Sequence, residues 1–225
     1  MSKNIVFIPL RKGSKSIRNK NFKKFFTQPL FCWCVDAVLE SGIADEIWIG
    51  ADSLQIERIT KDRYGDKVSI YRRKKENAQD TSPTIDVVLE FLQTKNYHSK
   101  DNFILVQATS PLTSVDEFRN LGERISFSRT DSSLACVRMK KFRWSEEGVP
   151  LDYSLEYKPR RQEYEGFLVE SGAFYASTVG RILQSGKLIS GKIGIVELGG
   201  EAVIDIDEPV DWKMGEACLR FIKTK

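Results

Sequence analysis

Two runs, Ile5-Val6-Phe7-Ile8 and Phe103-Ile104-Leu105-Val106, are apolar at every position. A strand with no polar side must bury both faces, so helices have to cover its sheet from above and below. The segments between the apolar runs supply such helices. Residues 29–41 place Leu30, Trp33, Cys34, Ala37 and Val38 on one helical face, and Gly42 follows as a terminator. Shorter apolar runs at 46–49, 68–71 and 133–137 alternate with helical patterns at about 53–64, 83–94 (Pro83 at the first helical position) and 115–127. The alternation predicts an α/β domain. From about 138 to 170 the chain turns polar and aromatic without helical periodicity, which predicts an insertion of β-hairpin character serving as a dimerisation or lid element. Core-like runs return at 172–175, 193–196 and 202–205, and a last helix is expected from Glu208-Pro209 to about Ile222. No repeat, low-complexity tract or linker divides residues 1–225, so one domain is expected.

Composition narrows the chemistry. With 41% hydrophobic and 29% charged residues the chain can bury a core, and its net charge is a mild +4. Seven of its basic residues, and no acid, fall between Arg11 and Lys24, a pattern that calls for an anionic ligand. No aromatic-interleaved basic face accompanies them, so nucleic acid is not expected as a partner. The first apolar run is too short for a secretory leader and ends in Arg11 and Lys12, and no segment approaches the roughly 20 apolar residues of a membrane span. Cys32, Cys34, Cys136 and Cys218 match neither a zinc nor a redox spacing and sit in apolar stretches. Buried free thiols in a reducing cytoplasm are the expectation. The one histidine, His98, lies in a polar stretch, so chemistry here must draw on carboxylates, Lys, Arg and hydroxyls, with or without a hard metal.

Four segments have the residue types for such chemistry. The turn after the first strand runs Pro9-Leu10-Arg11-Lys12-Gly13-Ser14-Lys15-Ser16-Ile17-Arg18-Asn19-Lys20-Asn21. Gly13 permits close backbone approach, Ser14 offers a hydroxyl, and Arg11, Lys15 and Lys20 bring charge for a polyphosphate. It has neither the Walker spacing nor the dinucleotide fingerprint, and a solvated basic loop accounts equally well for its composition. Gln107-Ala108-Thr109-Ser110-Pro111-Leu112 ends the fourth strand with amides and hydroxyls at the same sheet edge, or serves only as a strand exit and helix cap. Asp205-Ile206-Asp207 closes another apolar run. Extended backbone would turn both carboxylates to one side, ready for Mg²⁺, while one Asp is also suited to cap the following helix. Finally, Arg160 and Arg161 in Lys158-Pro159-Arg160-Arg161-Gln162 have the fork geometry to clamp a carboxylate, though exposed arginines on a hairpin are common.

Taken together, in this order, the segments resemble the CMP-sialic acid synthetase (acylneuraminate cytidylyltransferase) family. Residues Ile8 to Asn21 match its I-x-x-R-x-G-S-K-x-[IL]-x-x-K-N motif, Gln107 to Leu112 its Q-x-T-S-P-L, and Asp205 to Asp207 its D-I-D. Arg73, Glu76, Asp80 and Thr81 resemble its R-x-x-E-x-[AS]-x-D-[ST] loop, and Lys158 to Gln162 followed by Glu170 to Tyr175 resembles P-R-R-Q…E-N-G-[AS]-[FL]-Y. The resemblance implies a Rossmann-like, three-layer nucleotidyltransferase fold with a mixed, mostly parallel sheet, and homodimers that exchange the insertion. It implies that Arg11 and Lys20 hold the triphosphate of CTP, with Gly13, Ser14, Lys15 and Asn21 around the nucleotide. Arg73 and Thr84 would lie near the base. Gln107, Thr109, Ser110, Arg160 and Tyr175 would face a nonulosonic acid, and Asp205 and Asp207 would hold Mg²⁺. Two positions depart from the pattern: Thr113 stands where many bacterial members have Arg, and Ser171 where most have Asn.

The implied reaction is attack of the anomeric hydroxyl of a nine-carbon 2-keto sugar acid on the α-phosphorus of CTP, with Arg11, Lys20 and Asp207 central to it. A 3-deoxy-octulosonate cytidylyltransferase and a non-catalytic nucleotide-binding relative are the alternatives. The first lacks the G-S-K-x-I-x-x-K-N pattern, and the second would not release pyrophosphate.

Overall fold

A computed structural model describes residues 2–74, 83–127 and 130–224. Glu76, Asp80 and Thr81 of the expected loop lie outside the described residues. The strands are β1 (Asn4–Pro9), β2 (Lys24–Phe25), β3 (Gln28–Pro29), β4 (Glu46–Ala51), β5 (Ser69–Arg72), β6 (Asn102–Val106), β7 (Ser132–Met139), β8 (Phe167–Thr178) and β9 (Ile193–Leu198). The helices are α1 (Leu30–Ser41), α2 (Leu54–Tyr64), α3 (Thr84–Lys95), α4 (Val115–Phe127), α5 (Val179–Ser185) and α6 (Pro209–Lys223).

Seven strands form one sheet in the order β5-β4-β1-β6-β8-β7-β9, and β2 and β3 pair apart from it. Parallel pairing joins β5, β4, β1 and β6, and again β7 and β9; β8 runs antiparallel to both neighbours. The sheet is therefore mixed and mostly parallel. The fully apolar first strand explains the layering. Val6 and Ile8 enter one core with Phe31, Val35 and Phe118, while Ile5 and Phe7 enter a second core with Val88, Phe91 and Ile182. Helices α1 and α4 cover the first face, and α3 and α5 the second. From β1 the chain moves outward to β4 and β5, then returns to the other side of β1 as β6. The crevice at the carboxyl ends of β1 and β6 is thus a topological switch point, where open α/β sheets bind ligands.

Three expectations are corrected. Residues 202–205 form no strand: Gly200–Val203 is a short 3-10 helix, and Ala202 packs into the first core. Pro83 is the N-cap of α3 and Thr84 its first helical residue. Neither Asp205 nor Asp207 caps α6; Glu208 is the N-cap, Pro209 stands at N1, and the Asp211 carboxylate accepts from the Glu208 N–H at 2.7 Å. Between β7 and β8, hairpin pairing is reduced to two isolated bridges, Trp144 with Pro150 and Ser154 with Tyr157. Side chains order this stretch instead: Phe142 packs on Tyr153 and Tyr164, and Arg143 pairs with Asp152 at 2.7 Å. Among the described residues no helix is long and apolar enough to cross a membrane.

Candidate active site

Three segments far apart in sequence each surrender one apolar residue to a third, smaller core. Ile17 comes from the basic turn, Leu112 from the end of the segment after β6, and Ile206 from between the two aspartates; with Phe25, Leu30, Trp212 and Leu219 they pack under α6. Ile206 is completely buried, and its N–H donates to the Thr109 carbonyl at 2.7 Å. Burying one such side chain contributes about 2 kcal/mol, so these anchors hold the polar parts of their segments in register. Phe25 meets Trp212 edge-on at 5.0 Å, and Lys23 lies over the Trp212 ring at 4.8 Å, fastening the turn to α6.

The polar parts face a cavity of about 340 Å³. Of the residues singled out from sequence, Arg11, Gly13, Ser14, Lys20, Asn21, Arg73, Thr84, Gln107, Thr109, Asp205 and Asp207 line it, joined by Pro9, Pro83, Val87 and Ala108. The turn is held from both ends: Leu10 N–H donates to Gly50 O at 2.8 Å, Lys12 N–H to Asp52 at 2.7 Å, and the Asn21 amide to Arg11 O at 2.8 Å. Asn21 therefore shapes the turn as well as lining the cavity. Asn19, at φ 60°, turns the chain into the 3-10 helix Lys20–Phe22, a backbone conformation asparagine tolerates better than most residues.

Lys20 is the pivot between the basic and acidic sides. Its ammonium donates to Ile206 O at 2.7 Å and to Asp207 at 2.8 Å, and its side chain is only 11% exposed. The backbone from Asp205 to Asp207 is turned, with the Asp207 N–H donating to Asp205 O at 3.1 Å, so the expected extended arrangement is not what unites the carboxylates. They share the cavity because Ile206 is anchored between them. Burial raises the Asp205 carboxyl above its ordinary range; the neighbouring Asp207 adds to this, while the Thr109 hydroxyl and Lys20 oppose it. Asp205 Oδ1 is buried with no hydrogen-bond partner among the described residues. An orphaned anionic oxygen beside a second carboxylate suits a hard divalent cation. No cluster of three or more potential metal ligands occurs among the described residues, so such a cation would need phosphate or water oxygens as well.

A bulge in β8 completes the wall. Its pairing with β7 jumps from Leu134–Tyr175 to Cys136–Glu170, leaving residues 171–174 out of register with β7 while Phe174 stays paired with Val106 of β6. Gly172 takes φ +75° there, and a side chain on it would meet Gln107 Oε1 at 3.8 Å and Asp205 Oδ2 at 3.9 Å. The Gln107 N–H donates to Ala173 O at 3.0 Å. Opposite, Arg73 is half-buried; burial and Arg11 lower its pKa, and Asp52 and Glu90 offset them.

Four expected residues are not among those lining the cavity. Lys15 is exposed on the turn, and Ser110 is buried behind it, its carbonyl accepting from the Thr113 hydroxyl at 3.1 Å. Arg160 is exposed on the insertion. Tyr175 is partly buried and donates its hydroxyl to Glu170. Sequence reasoning missed Asp52, Val87 and Glu90. Asp52 follows β4 at the productive sheet edge, a signal open to inspection; Val87 and Glu90 looked like ordinary positions of an amphipathic helix. His98 sits in the turn into β6, at the opposite end of the sheet.

Residues 5–178 match the family model described as cytidylyltransferase. The chain is 33% identical over 219 residues to N-acylneuraminate cytidylyltransferase B of Danio rerio, covering 94% of this chain and 50% of that protein. It is 28% identical over 213 residues to pseudaminic acid cytidylyltransferase of Campylobacter jejuni, covering 91% of each. A solved CMP:2-keto-3-deoxy-manno-octonic acid synthetase complexed with CTP superposes with a TM-score of 0.69 at 17% identity, covering 98% of this chain and all of that one. The chain spans about half the length of the first curated relatives it matches.

Proposed function

Because the chain belongs to the cytidylyltransferase family, we propose that it transfers CMP from CTP to the anomeric hydroxyl of a nine-carbon 2-keto sugar acid of the sialic acid type, releasing pyrophosphate. The observation that carries this reading is the single cavity joining Arg11 and Lys20, the strand-end groups Gln107 and Thr109, and the carboxylates Asp205 and Asp207. Cations for a triphosphate, neutral donors and acceptors for a sugar acid, and a carboxylate pair are what such a transfer needs in one place.

Positioning and charge stabilisation supply most of the catalysis in phosphoryl-type transfers. Arg11 and Lys20 bind the phosphates and oppose the negative charge that builds on them. Gly13 and Ser14 allow the backbone to approach, and Arg73 and Thr84 face the base. Gln107 and Thr109 orient the sugar acid so that its hydroxyl oxygen bonds the α-phosphorus, losing its proton to solvent water, as the bond to the α,β-bridging oxygen breaks. Pyrophosphate leaves with that electron pair. Asp205 and Asp207 would hold Mg²⁺, which when bound supplies Lewis-acid charge neutralisation at the phosphates. Arg160 and Tyr175 reach the sugar acid only if the insertion closes over the cavity, and a homodimer in which the insertion lies against a second copy would favour this. The exposure of Leu155 (74%) and Tyr157 (67%) on that insertion supports the dimer. The four free cysteines favour a reducing, cytoplasmic setting.

The test is pyrophosphate release with CTP and Mg²⁺ across a panel of nonulosonic acids and 3-deoxy-octulosonate. Release with one nine-carbon acid is expected. Turnover of 3-deoxy-octulosonate alone would replace the substrate class, and silence across the panel with CTP bound would leave a non-catalytic nucleotide binder.

A further inference from the structure

Adjacent arginines at the end of β5 go opposite ways. Arg72 turns outward to a bidentate pair with Glu57 at 2.9 and 2.8 Å. Arg73 turns inward to line the cavity beside Pro83, Thr84 and Val87, and its own N–H donates to Ala51 O at 3.0 Å. What fixes this corner is a carboxylate outside the cavity. Glu90, on α3, is 7% exposed, and its Oε1 accepts both the Tyr71 hydroxyl at 2.6 Å and the Lys74 N–H at 3.1 Å. It thus holds the residues on either side of the Arg72-Arg73 pair. The Tyr71 hydroxyl has a second neighbour in the Thr94 hydroxyl, which lies 3.4 Å from it and donates to the Glu90 main-chain carbonyl at 2.7 Å. A buried carboxylate that grips the flanks of a half-buried arginine also supplies it with negative charge at low dielectric.

We propose that Glu90 is a positioning residue for nucleotide binding: it fixes the Tyr71–Lys74 corner and, together with Asp52, supplies negative charge that holds Arg73 facing the nucleoside of CTP. The proposal rests on the reading of Arg73 as a nucleotide-contacting residue. Glu90 touches neither substrate, so removing its charge affects CTP affinity and leaves the transfer step and the sugar-acid site alone.

The experiment is calorimetric CTP binding to the full chain in four forms: unaltered, Glu90→Gln, Arg73→Met and the double variant. Steady-state kinetics accompany it. Glutamine keeps an acceptor for Tyr71 and Lys74 and deletes the charge. Glu90→Gln is expected to weaken CTP about tenfold, the scale of a lost charge-assisted interaction. In the Arg73→Met background the same change should cost less than about twofold, because its target is gone. At saturating CTP, kcat should stay within about twofold and the sugar-acid KM should not move. Unchanged CTP affinity in Glu90→Gln, or an equal loss in both backgrounds, overturns the proposal. Arg73→Met binding CTP as tightly as the unaltered protein removes the assignment of Arg73 first, and the proposal with it. If Glu90→Gln does not fold, Tyr71→Phe loosens the same carboxylate: weaker CTP binding with an unmoved sugar-acid KM supports the role, and unchanged binding refutes it.

Discussion

Gly215, in the middle of α6, is where the fold and the carboxylate pair can be pulled apart experimentally. A β-carbon built on it lies 2.8 Å from Phe25 Cζ, 3.0 Å from Ile206 Cδ1 and 3.4 Å from Phe25 Cε2. Ordinary contact begins near 3.4 Å, so Gly215→Ala must push Phe25 by about 0.6 Å and Ile206 by about 0.4 Å. Both are fully buried, and Phe25 is backed by Trp212, so neither ring nor methyl has free space to enter. In stability, two effects oppose. Alanine in a helix interior gains about 1 kcal/mol over glycine, and overpacking costs about 1–3 kcal/mol. The net is a loss of roughly 0–2 kcal/mol, which for a chain of this size lowers Tm by no more than about 8 °C. Activity should respond more sharply. Ile206 is the residue between Asp205 and Asp207, and misplacement of a reacting constellation by about 1 Å can cost roughly a hundredfold. A fall of about 10- to 100-fold in kcat is therefore expected, with Tm lowered by no more than about 8 °C, measured by pyrophosphate release and thermal denaturation on the same preparation. Phe25→Leu, which shortens the obstructing side chain, should restore part of the activity in the double variant. A Gly215→Ala protein with higher Tm and undiminished kcat would refute the argument, because it would mean that Ile206 does not govern where the carboxylates sit.

Three further predictions address the carboxylates and the insertion. Asp207→Ala should lower the rate at least about a hundredfold at saturating Mg²⁺, the scale of losing one charge-stabilising group, while Asp205→Asn should lose activity comparably yet raise the Tm of the metal-free protein by about 2–4 °C by removing a buried, unsatisfied anion; near-normal turnover in the first or a lowered Tm in the second would count against the assignment. Replacing Leu155 and Tyr157 together by Asp should convert the proposed dimer to a monomer in light scattering, with the melt of the monomer little changed, since neither side chain is buried in the single chain; an unaltered dimer mass would exclude the insertion as the interface.

The sequence made the sheet legible because β1 and β6 are apolar on both faces, a pattern only a doubly covered strand needs, and because five of the six described helices announced themselves by spacing or by an ending such as Gly42, the seven-residue α5 being too short to do so. It made the cavity's polar residues legible for a related reason: Arg11, Lys20, Gln107 and Thr109 stand where apolar strands stop, and chain direction places those stops at one edge. What misled was reading 202–205 as a strand. Val203 and Ile204 have the β-branched character of one, but Gly199 and Gly200 precede them and the chain there closes into a 3-10 turn that seats Ala202. The error was local in a telling way: the two aspartates still reached the cavity, but through the burial of Ile206 rather than through strand alternation. Convergence of separate segments depends on which apolar residue of each is swallowed by a shared core, and Ile17, Leu112 and Ile206 look in sequence like any other aliphatic residues. The same holds for Glu90, whose value lies in the burial of its carboxylate against Tyr71 and Lys74, two contacts that helical spacing cannot foretell. Polar residues at strand ends thus disclose which groups a site contains, and the small core beneath α6 determines how they are brought together.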